Sequence, residues 1–472
     1  MPSARDIALF HLRRWTNLSD PPLLPERSSE LALSPRDRAF FVDLLNGIIR
    51  WRGALDAVIA SRLRQPLDSL QQNVRALLWL GAYQLLFQRG TTDYAAVDTT
   101  VSLAKKHQET VKSAGLVNAV LRGITRLQPT VTPRTNATLS RRSFALDFTS
   151  QLTFNENIFL DPQSNPIGHL AQVRSHPIPY VEHLRNIYGQ SQAGELLLRN
   201  NLRPVITLRS DSADQFEPRP LGNDRPHCQV AARSLPDGRV SEGLIPHEIP
   251  GFFVASKGWN PAIEALVQRG PLSPQDPTAA KPVRTFAAGQ FPVPSSILDL
   301  CAGMGTKTIQ LAAAFPEARI TAADTNPLVL GLLEIRAKNL GMKNITTRSA
   351  QSLIPPTDER YDLILADVPC SNTGVFAKRV QSRWRWPTLD RSALAQLQTK
   401  LLTQSVHLLA SGGTLLYSTC SIDSAENSDL IKMFLASCTI PLTLIQELLT
   451  LPSLTSAATA MRDGGYFAIL RR

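Results

Sequence analysis

The stretch that decides the fold is SILDLCAGMGTKTIQLAAAFPEARITAAD, residues 296–324. It opens with an apolar run that predicts a strand, followed by a turn in which Gly303 and Gly305 allow the backbone to bend sharply. Residues 306–315 are typical of a helix, and residues 319–324 predict the next strand. A strand, a glycine turn, a helix and a second strand form the repeating unit of parallel sheets whose strands are joined by helices.

The same alternation continues to the end of the chain. We therefore expect an α/β domain over residues 296–472, with a parallel, doubly wound sheet covered by helices on both faces. Ligands of such sheets bind at the carboxyl ends of the strands. Gly341 suits the position just after the end of a helix. The further predicted strands are 361–367, 414–419 and 466–472, and the further predicted helices are 328–341, 391–410 and 427–436.

Three regions precede this domain. Residues 1–128 repeat apolar side chains at the spacing of one helical face, which predicts an all-α bundle. Residues 129–170 are rich in Pro, Thr, Asn and Ser and predict a linker. Residues 171–295 predict a small α+β adaptor, with a helix near 178–200 and a strand at 203–210.

The composition limits the possible functions. A chain of 472 residues is too long for one core, so two or three domains are expected. Lys and Arg number 50 against 39 Asp and Glu, a net charge of +11 that favours nucleic acid over membrane as partner. There is no run of about 18 apolar residues, and the first residues lack the apolar core of a secretory signal. The five cysteines are widely spaced without a C-x-x-C motif, so we expect a cytoplasmic protein with free thiols and no metal site.

An acidic residue lies where an adenosine-containing cofactor needs one. Asp324 ends the strand that follows the glycine turn, and a carboxylate there can accept hydrogen bonds from two ribose hydroxyls. The third glycine of the dinucleotide fingerprint is absent, since Thr308 occupies that region. The loop therefore favours S-adenosylmethionine over NAD as cofactor.

Two cysteines end two different predicted strands. Asp367 and Cys370 follow one strand in the motif ADVPCSNTG, and Cys420 follows another in the motif LLYSTCSID. A thiolate is the natural nucleophile for a soft electrophilic carbon, and Lys307 is a candidate cation that would lower the pKa of a thiol. The pair therefore indicates covalent chemistry at the cofactor edge, with either cysteine as the nucleophile.

Basic and aromatic residues alternate in AKRVQSRWRW, residues 377–386, directly after the Pro-Cys loop. Basic side chains pair with phosphates, and indoles stack on unpaired bases. The segment therefore predicts an RNA contact, while a solvated loop with one tryptophan in the core is the alternative. The candidate RNA-binding residues are Lys378, Arg379, Arg383, Trp384 and Arg385.

Together these motifs resemble those of the RNA cytosine-C5 methyltransferases, in particular the bacterial 16S rRNA methyltransferases of the RsmB (Sun) type. The resemblance implies a NusB-like helical RNA-binding domain at 1–128, fused to a Rossmann-like S-adenosylmethionine-dependent methyltransferase domain at 296–472. It also implies that the partner is 16S rRNA, either free or within a small-subunit assembly intermediate. Nothing in the sequence demands a dimer, so we expect a monomer. The matching segments include LLNGIIRWRGALD, VRALLWLGAYQLLF, GLVNAVLR, LDLCAGMGTKT, LADVPCSNTGV, GGTLLYSTCSIDSAEN and DGGYFAIL.

The resemblance also implies residue roles. It makes Cys420 the nucleophile that attacks C6 of the cytosine, so that C5 can take the methyl group. A base then removes the C5 proton, and Cys370 assists release of the enzyme. Asp367 and Lys307 would hold the base. The implied cofactor site comprises the backbone of Cys301, Ala302, Gly303, Met304, Gly305, Thr306 and Lys307, with the side chains of Asp324, Ser349 and Asp367.

The chain departs from the family pattern in its cofactor loop. It reads CAGMGTKT where the family usually has CAAPGGKT, so Met304 replaces a proline and Thr306 a glycine. Ser349 stands where the family usually has an aspartate for the adenine amino group. These departures motivate the alternative of a non-catalytic RNA-binding protein with a decayed methyltransferase domain. A DNA cytosine-C5 methyltransferase, whose Pro-Cys thiol is itself the nucleophile, is disfavoured by the second strand-end cysteine.

Overall fold

The computed structural model describes residues 3–15, 33–88, 90–134, 140–210, 243–270, 272–354 and 358–472. The chain forms two compact units. The first consists of Met1–Arg203 and Phe376–Leu389, and the second of Pro204–Val375 and Asp390–Arg472. Within the described ranges, none of the helices combines the length and apolar character needed to cross a membrane.

The N-terminal part of the first unit is helical, as its periodicity predicts. Leu44, Ile48 and Trp79 are fully buried, so the apolar faces of the second and third helices form the centre of this bundle. Ser3 and Ser34 cap the first two helices by accepting hydrogen bonds from backbone amides. The helices are α1 (Ala4–Arg13), α2 (Pro35–Ala60), α3 (Gln72–Phe87), α4 (Asp93–Lys106) and α5 (Ala114–Thr125).

The first unit continues past the predicted bundle and through the predicted linker. Residues 129–170 contain an antiparallel sheet of order β1-β3-β2, so the prediction of a mere linker is wrong. Phe144, Phe154 and Phe159 are buried against one another, and these three aromatic side chains provide a core that periodicity does not reveal. The elements are β1 (Thr130–Pro133), β2 (Ser143–Ala145), β3 (Ser150–Thr153), α6 (Pro166–Val173) and α7 (Ile178–Asn201).

The predicted adaptor is divided between the units. Helix α7 belongs to the first unit, whereas the strand predicted at 203–210 belongs to the second. That strand joins an antiparallel sheet of order β5-β6-β4-β7, and residues 211–242 of the predicted adaptor lie outside the described residues. The elements are β4 (Thr207–Ser210), β5 (Leu244–Pro246), β6 (Phe252–Ala255), α8 (Pro261–Arg269), β7 (Leu272–Pro274) and α9 (Pro277–Ala288).

A seven-stranded sheet of order β10-β9-β8-β11-β12-β14-β13 dominates the second unit. Its strands are β8 (Ser296–Asp299), β9 (Arg319–Asp324), β10 (Ile345–Ser349), β11 (Tyr361–Asp367), β12 (Leu409–Thr419), β13 (Thr443–Thr450) and β14 (Gly465–Arg471). Its helices are α10 (Thr306–Ala314), α11 (Pro327–Asn339), α13 (Arg391–Leu408) and α14 (Ser428–Ser437), while α12 (Val380–Arg385) belongs to the first unit.

The sheet is parallel except at one strand. β14 runs antiparallel to both of its neighbours, so the prediction of a wholly parallel sheet is corrected there. β13 was not predicted, because most of its residues are exposed and its sequence lacks a continuous apolar run. The C-terminus of α11 is as predicted, with Gly341 in the left-handed region (φ +67°) just beyond the helix.

The register brings the ends of three strands to one edge. β11 lies between β8 and β12, with Leu365 opposite Asp299 and Asp367 opposite Ser418. Loops that follow these parallel strands therefore emerge side by side at their carboxyl ends.

Candidate active site

The loop between β8 and α10 depends on its two glycines. Gly303 and Gly305 both have positive φ angles (+52° and +76°), a conformation that residues with a Cβ rarely adopt. A Cβ at Gly305 would lie 2.1 Å from Leu333 Cδ1, so α11 packs against this turn too closely for any side chain. A Cβ at Gly303 would meet nothing within 4 Å, so the loop leaves open space on that side.

Asp324 joins this loop to the end of β9. Its Oδ2 accepts a hydrogen bond from the Gly303 amide at 2.9 Å, and its Oδ1 accepts one from the Asn326 amide at 2.9 Å. A carboxylate has about four acceptor positions, so the remaining ones can receive ribose hydroxyls. Ser349 ends β10 directly opposite Asp324 and is exposed, and the Met304 side chain is 60% exposed in the glycine loop. The open loop and the carboxylate thus fit an adenosine-containing cofactor.

Lys307 and Asp367 form an ion pair at the same edge. The Nζ of Lys307, in the first turn of α10, lies 2.6 Å from Asp367 Oδ2. Ser418 Oγ donates a hydrogen bond to the other carboxylate oxygen at 2.6 Å. The sequence analysis predicts Lys307 as the cation next to a thiol. In the structure its ammonium is instead paired with the carboxylate of Asp367, which ends β11.

The two predicted cysteines meet. Their Sγ atoms lie 3.1 Å apart, and both residues are partly exposed. The Cys420 thiol is also within hydrogen-bond distance of Asn372 Oδ1, at 3.3 Å. Contact with Cys420, burial and the negative charge of Glu426 raise the pKa of the Cys370 thiol well above its usual value. Cys370 is therefore a protonated thiol next to the sulfur of Cys420.

Gly374 keeps the two cysteine loops close together. Its amide donates to the Cys420 carbonyl at 2.9 Å, and its own carbonyl accepts from the Gly464 amide at 2.8 Å. A Cβ at Gly374 would lie 2.6 Å from the Gly464 backbone and 2.8 Å from the Cys420 oxygen. The glycine of the Pro-Cys motif is thus required by close backbone approach.

The sequence does not predict the surroundings of three further side chains at this edge, Asp299, Cys301 and Glu426. Asp299 ends β8 and accepts a hydrogen bond from Thr308 Oγ1 at 2.7 Å, and burial raises the pKa of its carboxyl to about 7. Burial also raises the pKa of the Cys301 thiol, which packs against the apolar core of the sheet. Glu426 is 4% exposed and accepts hydrogen bonds from Ser371 and Ser421, the residues after the two cysteines. A serine follows each of the two cysteines, and this repeated pattern is the sequence feature from which a shared hydrogen-bond acceptor such as Glu426 could be predicted.

The predicted RNA segment is partly buried in the first unit. Arg383 is fully buried and donates to the Asn201 side chain and to the carbonyls of Arg50 and Phe376. Trp384 is 6% exposed, and its indole donates to the Ile49 carbonyl at 2.8 Å. The prediction that Arg383 and Trp384 contact RNA is therefore wrong for this structure, because short helix α12 turns them inward. Lys378 and Arg379 are exposed and Arg385 is half-buried, so an RNA role for these three stays a prediction.

No metal centre is evident in the described residues, where no group of three or more His, Cys, Asp or Glu side chains could hold an ion.

The fold and the site define a class of enzyme. A parallel sheet with one reversed strand, a glycine loop after β8 and a carboxylate at the end of β9 form the site of an S-adenosylmethionine-dependent methyltransferase. Residues 292–447 match the family 16S rRNA methyltransferase RsmB/F, and residues 2–126 match the NusB family.

Curated relatives extend this match over most of the chain. Ribosomal RNA small subunit methyltransferase B of Salmonella paratyphi B is 30% identical over 419 residues, covering 88% of this chain and 85% of the relative. The protein of the same name from Escherichia coli is 30% identical over 414 residues, covering 85% and 83%. The chain belongs to the RsmB/F family of 16S rRNA methyltransferases.

Solved structures share the fold at low sequence identity. The crystal structure of PH0851 matches with a TM-score of 0.66 and 18% identity, covering 94% of this chain and 93% of that one. A methyltransferase homologue from Pyrococcus horikoshii matches with a TM-score of 0.50 and 18% identity, covering 66% of this chain and all of the other. The family and relative matches confirm the family resemblance, the methyltransferase class and the cofactor expected from the sequence, and the solved structures confirm the fold.

Proposed function

We propose that this protein methylates C5 of a cytosine in 16S rRNA through a covalent bond between Cys420 and C6 of the base. The observation that carries the proposal is the contact of the Cys370 and Cys420 sulfur atoms, 3.1 Å apart, at the ends of two adjacent parallel strands. Nucleophilic attack needs only one thiol. We infer that the second thiol, in contact with the first, assists the release of the first from the methylated base.

The nucleophile is the thiolate of Cys420, which forms when the thiol gives up its proton. Its sulfur forms a bond to C6 of the cytosine, and the electron pair of the C5–C6 double bond moves to C5. Bound S-adenosylmethionine supplies an electrophilic methyl group to that carbon. A proton acceptor then takes the C5 proton, the C5–C6 double bond re-forms, and the bond between C6 and the Cys420 sulfur breaks.

Cys370 supports the last step. Because its pKa is raised, it holds its proton at neutral pH, and its sulfur lies 3.1 Å from the Cys420 sulfur. It can therefore donate to the departing sulfur as the bond to C6 breaks, which makes that sulfur a better leaving group. Asp367 and Lys307 hold the cytosine and stabilise the charge that develops on its ring, since a carboxylate accepts a hydrogen bond from an amino group and an ammonium donates to a ring acceptor beside it.

The RNA substrate is supported by charge and by family. The relatives carry the name of small-subunit rRNA methyltransferases, and the NusB-family match lies in residues 2–126. The net charge of +11 favours a polyanionic substrate. We infer that the substrate is 16S rRNA, free or in an assembly intermediate, and that the protein acts as a monomer in the cytoplasm.

The test uses full-length protein, unmethylated 16S rRNA and S-adenosylmethionine with a labelled methyl group. C420A is expected to lose transfer, and C370A to accumulate a protein–RNA adduct that resists denaturing gel electrophoresis. C438A is the matched control, because Cys438 is also a free, partly buried cysteine but follows α14. Full activity in C420A would overturn the assignment, and adduct accumulation in C420A instead of C370A would reverse the two roles. A wild-type protein that binds RNA but transfers no methyl group would identify a binding protein.

A further inference from the structure

Each of the two cysteines is followed by a serine, and both serines bind the same carboxylate. Ser371 donates to Glu426 through its amide, at 2.8 Å to Oε2, and through its hydroxyl to Oε1. Ser421 donates to Oε1 through its hydroxyl at 3.0 Å. Glu426 therefore connects the residue after Cys370 with the residue after Cys420.

A fourth donor extends this contact to helix α13. Gln398 Nε2 donates to Glu426 Oε2 at 3.1 Å and to the Pro369 carbonyl at 2.9 Å. Pro369 precedes Cys370, so the loop is held on both sides of the cysteine. Glu426 itself is held by its backbone, since its carbonyl accepts from the Tyr417 hydroxyl at 2.7 Å.

Burying the side chain of Glu426 costs free energy unless its hydrogen bonds compensate for the lost contact with water. It is 4% exposed, and the four donors described above are neutral groups, so no charge among them offsets the cost of burying a carboxylate. A glutamine of the same size would satisfy only part of this arrangement, because both carboxylate oxygens accept two hydrogen bonds and an amide nitrogen accepts none. The site thus uses the property that distinguishes a carboxylate from an amide.

The strands alone do not hold the cysteines. The last residue pair of β11 and β12 is Asp367 with Ser418, and both cysteines lie beyond it. Side-chain and loop contacts must therefore set the distance between the two sulfur atoms, and Glu426 lies at the centre of those contacts.

We propose that Glu426 is a positioning residue that holds Cys370 and Cys420 in sulfur contact, a role that rests on the proposed function of these cysteines. It touches neither thiol through a hydrogen bond and acts through Ser371 and Ser421. Its charge is also among the causes of the raised pKa of Cys370, so it helps to keep that thiol protonated.

The first test measures geometry without methyl transfer. Diamide, a diazene, oxidises two neighbouring thiols to a disulfide and takes up their two hydrogens to become a hydrazine. In a background in which Cys228, Cys301 and Cys438 are changed to alanine, we expect E426Q to form the Cys370–Cys420 disulfide about 10-fold more slowly than the parent. E447Q is the matched control, because Glu447 also accepts a hydroxyl hydrogen bond, from Tyr466 on β14, but lies exposed on β13, away from the cysteines.

The second test measures methyl transfer with 16S rRNA. E426Q is expected to lower kcat by about 10- to 100-fold while the KM for S-adenosylmethionine stays near the wild-type value. Parent-like disulfide formation in E426Q would overturn the positioning role even if methyl transfer were lost. If the wild type transfers no methyl group to C5, the proposed function is refuted. Slow disulfide formation in E426Q would still support the geometric role of Glu426.

A third variant decides the matter if E426Q does not fold. S371A removes one hydroxyl donor and keeps the carboxylate, so it is expected to slow disulfide formation and to lower kcat in the same direction by a smaller factor. If E426Q is unfolded and S371A forms the disulfide at the parent rate, the proposal is wrong.

Discussion

Lys307, in the first turn of α10, and Asp367, the last residue of β11, form an ion pair in which the lysine ammonium is 2.6 Å from one oxygen of the carboxylate. The other oxygen accepts from Ser418, two residues before Cys420. The ion pair therefore links the start of α10, which follows the cofactor loop, with the carboxyl ends of β11 and β12.

The first prediction concerns this pair. K307M and D367N are each expected to lower kcat for methyl transfer by about 100-fold, and the double variant by little more than either, because residues that act as a unit are not additive. Thermal unfolding should change little, since partly exposed ion pairs contribute about 0–1 kcal/mol to stability. Additive losses in a double-mutant cycle would show that the two residues act separately.

The second prediction concerns the protonation of Cys370. Its contact with Cys420 is the largest cause of its raised pKa, so C420A should lower that pKa. Iodoacetamide reacts with thiolates, and we expect Cys370 to be alkylated several-fold faster at pH 8 in C420A than in C438A. Peptide mass spectrometry after timed quenching measures the rate. Equal rates in the two variants would contradict a contribution from the sulfur contact.

The third prediction concerns the pH dependence of stability. Burial raises the pKa of Asp299 to about 7, above its value in the unfolded chain, so the folded state binds more protons than the unfolded state between about pH 4 and pH 7. Stability from this group is therefore present at acidic pH and is lost as the pH rises towards 7. D299N should gain stability relative to the wild type over this range, by up to about 4 kcal/mol at pH 7.

Denaturant unfolding of both proteins at pH 5, 6, 7 and 8 measures this difference. Asparagine can still accept the hydrogen bond from Thr308, and its buried amide nitrogen changes stability equally at every pH, so the pH dependence of the difference reports the charge. A stability difference that does not vary with pH would mean that Asp299 is not the titrating group.

The fourth prediction concerns two glycines near the cofactor loop. G305A should destabilise the second unit by about 2 kcal/mol or more, because its Cβ would overlap Leu333 and its φ is +76°. Gly331 lies inside α11 with nothing within 4 Å of its Cβ position, so G331A should be neutral or stabilising by up to about 1 kcal/mol. Chemical denaturation distinguishes the two, and equal effects would argue against the close packing of α11 on the loop.

The fifth prediction separates structural from RNA-binding arginines. R383A should destabilise the first unit by about 3 kcal/mol, since it leaves buried carbonyls without their donor. R379Q should leave stability unchanged and lower RNA affinity, with a smaller salt dependence, if exposed Arg379 contacts a phosphate. Filter binding at several salt concentrations measures this. An unchanged slope for R379Q would remove the segment from the RNA surface.

The sequence predicted the α/β sheet well because its strands are buried apolar runs. β8, β11 and β12 contain fully buried residues such as Leu298, Ile364 and Leu415, and such runs stand out between glycine turns. β13 could not be found in this way, because it is an edge strand with little buried surface. The sheet in residues 129–170 rests on three separated phenylalanines, which form no periodic pattern.

The site was predictable to the extent that its residues end strands. The sequence reveals the strand that ends at Asp367 and the strands that precede Cys370 and Cys420. Parallel strands bring their carboxyl ends together, so these residues are expected to meet. Glu426 follows no strand directly, and its role depends on two serines that are 50 residues apart. The RNA-contact prediction for Arg383 is wrong because a basic residue followed by a tryptophan has the same pattern in an RNA surface as in a buried helix.

The return of Phe376–Leu389 to the first unit has a practical consequence for dissecting the protein. A fragment that begins at Pro204 would carry Val380, Trp384 and Trp386 without the helices that bury them. Three large apolar side chains would then face water, and the fragment would tend to aggregate. An isolated catalytic fragment therefore requires a short polar connector in place of residues 376–389, and an isolated helical fragment requires those residues to be supplied as a separate peptide.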